Sequence, residues 1–321
     1  MNRRAWLTVL LLVSLPAPVA AAAEAMDSAR SDAQRLQFIV IGDWGMRGSR
    51  HQRQVATQME RLAASTPVDF IVSTGDNFYP KGVNSTDDPK WQSNFENVYA
   101  LPHLKAIPWY VVLGNHDYLG DFRAEIDYGR HHANWILKHN YYEAEFNLGR
   151  DATVQLLFLD TNSFIKKYRN RPDIYHHIES QDTVAQLAWL EKKLTESRHL
   201  WRLAFGHHPV FSSGRHGDTD DLKAVLPGLF SRYGVNAYFA GHDHHLEHIK
   251  ADGPTHYFIS GGGGAWTRAV KRSAHSRFSQ RSLGFAHVLL DRRCLRVRFI
   301  NADGEELYRT AIPARAVIEC E

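Results

Sequence analysis

The sequence predicts an α/β fold. Short apolar runs at 37–41 and 68–73 each end at a glycine that opens a polar loop, and the helix-compatible stretch 52–63 lies between them. This order is typical of strands joined by a crossover helix. The candidate functional residues follow such runs from Asp43 to His244 and must meet at one site. We therefore predict a single domain over residues 37–321.

The alternation of strands and helices continues along the chain. Further strands are predicted at 109–113, 154–159, 200–205, 237–240 and 256–260, with an amphipathic helix at 181–194. After Gly284 the apolar runs 285–290 and 295–300 follow each other without a helix, which predicts antiparallel strands. The charged segment 164–180 is predicted to be an exposed loop, and whether it is a site of activating cleavage is left open.

The N-terminus predicts export. Arg3 and Arg4 precede an apolar run at 5–15 and the small residues 20–23, which is the order found in signal peptides. We predict a signal peptide at 1–23, a short linker at 24–36, and a periplasmic or secreted protein. The apolar run is shorter than the ~20 residues of a membrane span, which argues against a retained anchor. A twin-arginine export route is an open alternative.

The composition is that of a soluble globular protein, with 44% hydrophobic and 23% charged residues. The net charge of +3 and the absence of a run of like charges argue against nucleic-acid binding. After signal removal we expect a monomer without membrane contact. Cys294 and Cys320 form either a disulfide that pins the C-terminal tail or two free thiols.

Polar side chains of the types that can bind metals follow five of the predicted strands. They are Asp43 in GDWG, Asp76 and Tyr79 in GDNFY, Asn115 and His116 in GNHD, His207 in GHHP, and His242 and His244 in GHDHH. Loops at the carboxyl ends of strands line the ligand crevice of open α/β sheets. Each motif alone is weak, but five in this order predict one metal site.

On these motifs, and on PWYVVLGNHDYLG at 108–120, the sequence resembles the purple acid phosphatases of the metallophosphoesterase superfamily, among them the small tartrate-resistant type. The resemblance runs from about residue 37 to about residue 313. It implies a calcineurin-like sandwich of two mixed β-sheets flanked by helices. It also implies a binuclear metal centre in which Fe(III) is paired with Fe(II), Zn(II) or Mn(II).

The resemblance further implies which residue holds which ion. The ferric ion would be held by Asp43, Asp76, Tyr79 and His244. Asp76 would bridge to the second metal, which Asn115, His207 and His242 would complete. Carboxylate and phenolate oxygens suit a trivalent ion, whereas an amide oxygen and imidazoles suit a borderline divalent one. The broader superfamily places a histidine where this chain has Gly45, so Tyr79 replaces an imidazole with a phenolate.

The resemblance implies hydrolysis of phosphate monoesters at acidic pH, with a metal-bound hydroxide as the nucleophile. His116 and His216 match family histidines that contact the phosphate or protonate the leaving oxygen. The substrate class, which includes sugar phosphates, nucleotides and phosphoproteins, is not determined.

Other readings and other positions are left open. A phosphodiesterase or pyrophosphohydrolase, and a non-catalytic binding protein, are the alternatives to a monoesterase. His208 and His245 depart from the family pattern and are expected to flank the pocket. The glycines 261–264 form either a tight turn or a phosphate cradle.

Overall fold

The β-α-β unit predicted at the start of the chain is present and begins the first of two sheets. The computed structural model describes residues 35–149, 151–315, 317 and 320. The predicted signal peptide and all but the last two residues of the predicted linker lie outside this range. The strands are β1 Leu36–Ile41, β2 Phe70–Ser73, β3 Trp109–Val111, β4 Trp135–Ile136, β5 Tyr142–Asn147, β6 Thr153–Phe158, β7 Trp201–Phe205, β8 Ala237–Ala240, β9 Leu246–Ile249, β10 His256–Ser260, β11 Ser276–Gln280, β12 Gly284–Leu290, β13 Cys294–Asn301 and β14 Glu306–Pro313.

The helices lie between these strands. They are α1 Arg50–Ser65, α2 Asn97–Tyr99, α3 Arg123–Gly129, α4 Lys166–Arg169, α5 Thr183–Glu196, α6 Asp220–Lys223 and α7 Leu226–Tyr233, with short π or 3₁₀ turns at Trp91–Glu96, Asp117–Leu119, Asn162–Phe164 and Ile178–Ser180. Two of them begin with a side-chain cap. Ser49 accepts a hydrogen bond from the backbone N–H of Gln52, and Asp182 accepts one from Ala185. Within the described residues no helix combines the length and apolarity needed to cross a membrane.

Two seven-stranded mixed sheets form the fold, which confirms the predicted architecture. Their strand orders are β14-β13-β12-β1-β2-β3-β4 and β11-β9-β10-β8-β7-β6-β5. Strands β1 to β4 are parallel in the first sheet, and β6, β7, β8 and β10 are parallel in the second. The predicted antiparallel pairing of β12 with β13 is also present. The parallel strands matter most for function, because their carboxyl ends gather the loops that follow them.

Aromatic side chains from the two sheets meet to form the core. Phe38 of β1 lies edge-to-face against Phe205 of β7 at 6.2 Å, and Tyr110 of β3 stacks on Phe158 of β6 at 5.5 Å. These rings are buried or nearly so, and contacts of this kind fix the distance between the sheets. The core therefore fixes the distance between the loops that follow the parallel strands of the first sheet and those that follow the parallel strands of the second.

The prediction that 164–180 is an exposed loop is only partly right. Residues 169–174 are exposed, but the segment also contains α4 and buries Tyr168 and Ile178. The Tyr168 hydroxyl lies 3.1 Å from His208 Nε2, so the segment is tied to the interior. Spaced apolar residues inside a charged stretch supply this anchoring, which composition alone does not reveal.

The two cysteines form the disulfide that was one of the two predicted alternatives. It joins Cys294, at the start of β13, to Cys320. The bond attaches the end of the chain to the outer part of the first sheet. Disulfides of this kind persist in oxidising compartments.

Candidate metal centre

Five loops meet at the carboxyl ends of β1, β2, β3, β7 and β8. Each of these strands is followed within three residues by a glycine, and the candidate ligands come next in the chain. Asp43, Asp76 and His242 adopt a left-handed backbone conformation, with φ of 60°, 53° and 66°. This conformation is uncommon for residues other than glycine and is found where the surrounding structure holds a functional side chain in place.

Three of the predicted ligands converge on the hydroxyl of a fourth, Tyr79. Its oxygen lies 2.7 Å from Asp76 Oδ2, 3.1 Å from Asp43 Oδ1 and 3.2 Å from His244 Nε2. All four side chains are buried. Burial, with the charges of Asp43 and Asp76, raises the pKa of the Tyr79 phenol well above its usual range. A bound cation would act in the opposite direction, because it stabilises the phenolate.

A second group of ligands shares Asp76 with the first. His207 Nε2 lies 3.4 Å from Asp76 Oδ1, 3.1 Å from Asn115 Oδ1 and 3.2 Å from His242 Nδ1. Burial and the neighbouring histidines His208 and His207 lower the pKa of His242 well below its usual range, which favours the neutral imidazole that metals bind. Asp76 therefore lies between two clusters of donor atoms.

The hydrogen bonds behind these residues leave their ligand atoms facing inward. His207 Nδ1 lies 2.9 Å from the Thr74 carbonyl oxygen and His244 Nδ1 lies 2.8 Å from that of Trp266, so in the neutral rings both Nδ1 atoms donate and both Nε2 atoms carry a lone pair. Burial lowers the pKa of His244, but the hydrogen bond and charge of Asp43 outweigh it and raise that pKa overall. Around the Tyr79 hydroxyl, one proton faces three acceptors. Around His207 Nε2, the lone pairs of this nitrogen, Asp76 Oδ1 and Asn115 Oδ1 face one another. A surplus of buried lone pairs fits a site for two cations, which would relieve their repulsion.

The structure gives a steric reason for a glycine at position 45. A Cβ atom at this position would overlap the backbone of Asn77. Gly45 O also accepts hydrogen bonds from the Tyr79 N–H and the Asn94 amide. The first and second ligand loops are thus in backbone contact, and this contact places Tyr79 beside Asp43.

The glycines at 261–264 serve the same loop packing. Gly263 donates its N–H to Gly42 O at 3.0 Å, and a Cβ there would meet Trp44. The run therefore lets β10 approach the Asp43 loop closely. Close backbone contact is thus the structural reason for glycine at these positions.

Asp117 joins the second and third ligand loops. Its carboxylate accepts hydrogen bonds from the backbone N–H groups of Gly114 at 2.7 Å, Asn77 at 2.9 Å and Phe78 at 3.1 Å. It is fully buried and lies one residue after His116 in the chain. These three bonds fix the loop of Asp76 and the loop of Asn115 to each other.

His116 is placed beside the first cluster. Its ring lies 4.4 Å from the Tyr79 ring, its Nδ1 is 2.6 Å from the Pro80 carbonyl oxygen, and its Nε2 is 4.0 Å from Asp76 Oδ2. The Pro80 bond identifies Nδ1 as the donor and leaves Nε2 directed toward the centre. The side chain is 31% exposed, so it can reach a substrate.

His216 lies on the other side of the centre. Its ring is 4.4 Å from the His242 ring, and its Nε2 accepts a hydrogen bond from Arg268 Nη1 at 2.5 Å. Burial lowers the pKa of His216; Asp243 opposes this, and the charges of Arg268 and Arg215 add to it. Arg268, which the sequence analysis did not single out, therefore presents its guanidinium to His216 on this side and also lines the cavity at the centre.

His208 and His245 were expected to flank the pocket. Both are buried, and the His208 ring lies beside the centre, 4.5 Å from the His242 ring. His208 lies between the Thr161 hydroxyl, at 2.9 Å, and the Tyr168 hydroxyl. His245 Nε2 lies 2.8 Å from Glu247 Oε2. Neither lines the cavity at the centre, so their effect on a substrate is indirect. His208 also lies close enough to His207 and His242 for three ring nitrogens to approach one cation.

The central cavity has a volume of about 340 Å³ and opens on the side of Tyr79 and His244. Its wall includes three residues that the sequence analysis missed: Arg47, Trp266 and Arg268. Trp266 is 66% exposed, which is unusual for so large an apolar side chain. The only signal in the sequence was position, since Trp266 and Arg268 directly follow the glycine run.

The comparisons with known proteins agree with this site. Residues 36–246 match the family model described as calcineurin-like phosphoesterase. Purple acid phosphatase 3 of Arabidopsis thaliana is 36% identical over 286 residues, covering 85% of this chain and 76% of the relative. Tartrate-resistant acid phosphatase type 5 of Rattus norvegicus is 32% identical over 336 residues, covering 97% and 98%.

Solved structures show the same fold. GAP50, described as the anchor in the inner membrane complex of Plasmodium, superposes with a TM-score of 0.79 at 24% identity, covering 88% of this chain and 90% of that one. Purple acid phosphatase PPD1 of Lupinus luteus gives a TM-score of 0.64 at 15% identity, covering 88% and 54%. The sequence relatives and the family model, rather than these distant structures, establish kinship. This chain belongs to the purple acid phosphatases, hydrolases of the calcineurin-like phosphoesterase family.

Proposed function

We propose that this protein is an acid phosphatase that hydrolyses phosphate monoesters at acidic pH with a binuclear centre of Fe(III) and a divalent ion: Fe(II), Zn(II) or Mn(II). Asp43, Asp76, Tyr79 and His244 hold the ferric ion. Asp76, Asn115, His207 and His242 hold the divalent ion. The observation that carries the proposal is the position of the Tyr79 hydroxyl within 3.2 Å of Asp43, Asp76 and His244.

The donor atoms of each cluster support this assignment. The cluster around Tyr79 has two carboxylates and a phenol, which are hard oxygen donors suited to a trivalent ion. The cluster around His207 has two imidazoles and an amide oxygen, which suit a borderline divalent ion. When bound, such a pair supplies Lewis-acid stabilisation of the phosphate oxygens and acidifies water, which is the reason to expect activity at acidic pH.

The chain's own residues bind and orient the phosphate. His116 Nε2 faces the centre from one side, where the imidazolium form, with both ring nitrogens protonated, can donate a proton to the leaving oxygen. From the other side the Arg268 guanidinium, which is hydrogen-bonded to His216, presents positive charge to a phosphate in the cavity. Trp266 and Pro80 form apolar parts of the cavity wall and limit the access of water.

The test is a visible absorption spectrum with metal analysis and turnover of p-nitrophenyl phosphate against pH, all on one sample. A ferric phenolate gives a charge-transfer band in the visible range. We expect this band in the wild type, its loss in Tyr79→Phe, and its retention in Tyr233→Phe. Tyr233 is a matched control because its hydroxyl binds Glu191 far from the loops of the centre.

Other outcomes identify the alternatives. A colourless protein that contains zinc or manganese in both sites and cleaves only diesters would be a phosphodiesterase. A protein that binds iron but turns over no phosphate ester would be a binding protein. A rate maximum above neutral pH with the iron-loaded protein would contradict the acidic optimum.

We also propose that residues 37–321 form one domain that is exported as a monomer to the periplasm or the medium. The disulfide between Cys294 and Cys320 supports an oxidising compartment. Among the described residues, the exposed large apolar side chains are Ile174, Val184 and Trp266, and Trp266 lines the cavity, so a monomer is favoured. Fractionation and size-exclusion chromatography with light scattering test the location and the mass.

A further inference from the structure

A second cavity lies beside the central one and carries a strong positive charge. It has a volume of about 490 Å³, and its wall contains Arg215, Arg268, Lys271 and Arg281 but no acidic residue. Arg268 belongs to the walls of both cavities. We call this second cavity the basic pocket.

The four cations of the basic pocket are not neutralised by the protein. Within the described part of the chain, none of them forms an ion pair with a carboxylate. Arg281 Nε binds the Thr267 hydroxyl at 3.1 Å, and Arg268 donates to His216. In the sequence, no acidic residue occurs between Asp252 and Asp291. Other surface cations of this protein, by contrast, are paired with carboxylates, as Arg123 is with Asp121.

Two loops that also support the metal centre hold the basic pocket together. Lys271 donates its backbone N–H to Ser213 O at 2.8 Å, which ties the loop after β10 to the loop after β7. The first of these loops carries Arg268, whose backbone N–H lies 3.3 Å from His244 O. The second carries Arg215 and His216. These backbone bonds hold Arg215, Arg268 and Lys271 at a fixed distance from the metal centre, on the same loops that support it.

We infer that the basic pocket binds a second phosphate group of the substrate, so that the preferred substrates are small molecules with two phosphates, such as sugar bisphosphates. This inference rests on the proposed phosphatase function. One phosphate lies at the metal centre, and Arg268 stands between it and the second. Several unpaired guanidinium and ammonium groups, without a competing carboxylate, recognise a dianion by charge-assisted hydrogen bonds.

The first experiment compares a matched pair of substrates. We expect the metal-loaded wild type to hydrolyse fructose 1,6-bisphosphate with a kcat/KM roughly tenfold above that for fructose 6-phosphate, the effect of one or two hydrogen bonds to charged groups. In the double variant Lys271→Ala/Arg281→Ala this ratio falls to about 2, the statistical value for two equivalent esters. The matched control is Arg272→Ala/Arg277→Ala, which removes the same charge from exposed neighbours outside the wall of the basic pocket and keeps the wild-type ratio.

A binding measurement separates this inference from the proposed function. Calorimetry with an alkyl bisphosphonate and the monophosphonate of the same chain length requires no turnover. The wild type is expected to bind the bisphosphonate more tightly, and the Lys271→Ala/Arg281→Ala variant to lose that difference.

Three results have distinct meanings. No hydrolysis of any monoester, with the bisphosphonate preference intact, would overturn the phosphatase proposal and leave the basic pocket standing as a dianion site. Active enzyme whose substrate ratio is about 2, or is unchanged in Lys271→Ala/Arg281→Ala, would overturn the inference. A preference for acidic phosphopeptides without one for bisphosphates would overturn the assignment to small molecules.

Discussion

A buried histidine outside the metal centre makes stability depend on pH. His248 on β9 is 2% exposed, its Nδ1 lies 2.8 Å from the Tyr308 hydroxyl, and its Nε2 lies 2.9 Å from His256 Nδ1. Burial, with the neighbouring His256 and the charges of Arg277 and Lys250, lowers the pKa of His248 from 6.5 to about 3. The perturbation we consider is His248→Gln, which removes this titrating group.

The expected magnitude follows from linkage between protonation and folding. Below pH 6.5 the unfolded chain binds a proton at His248, whereas the folded protein binds it only near pH 3. The free energy of unfolding therefore falls as the pH falls through this range. At pH 5 the difference is 1.5 pH units, which corresponds to about 2 kcal/mol. At pH 7.5 it is close to zero. His256 and His287, whose pKa values burial lowers to about 4, add to the acid sensitivity of wild type and variant alike.

The assay is urea unfolding of chelator-treated protein at pH 7.5 and pH 5.0. Between these two pH values the wild type should lose about 2 kcal/mol more stability than His248→Gln. His275→Gln is the matched control, because His275 is exposed and should leave the pH dependence unchanged. If His248→Gln and the wild type lost the same free energy of unfolding on acidification, the pKa of His248 would not be lowered by folding, and this reasoning would be refuted.

Four further predictions concern the site and its support. Asp117→Asn should destabilise the metal-free protein by about 2 kcal/mol, since one backbone N–H loses its acceptor; an unchanged urea midpoint would contradict this. Trp44→Phe should cost about 1 kcal/mol more than Trp135→Phe in the same assay, because Trp44 Nε1 donates to a serine hydroxyl at 2.8 Å whereas Trp135 Nε1 has no partner among the described residues. His116→Asn should lower kcat by roughly 100-fold with both metals retained; normal turnover would remove it from catalysis. Cys320→Ser should lower the free energy of unfolding by about 3 kcal/mol, given a sequence separation of 26 residues, and no change in the urea midpoint would show that the tail is not constrained.

The candidate ligands were predictable because each lies in a short local motif. A strand end, a glycine and a ligand-type side chain recur at Asp43, Asp76, Asn115, His207 and His242. The structure brings all of them together, along with Tyr79 and His244. The chain can specify such a site locally, since the parallel strands of two packed sheets bring the loops at their carboxyl ends to the same place.

Other parts of the protein were not visible in the sequence. The short strands β4, β9 and β11 carry little hydrophobic periodicity and exist through pairing with their neighbours. The partial burial of segment 164–180 depends on contacts such as that of Tyr168 with His208, 40 residues away.

The amino-acid sequence by itself determined the α/β class, the donor set and the family, because these depend on strand periodicity and on motifs within a few residues. Only the tertiary structure decided that a Cβ at position 45 would overlap the Asn77 backbone, that Asp117 ties two ligand loops together, and that Arg268 joins the central cavity to the basic pocket. These features depend on distances between loops that are far apart in the chain. The packing of the two sheets sets those distances, and no local pattern encodes them.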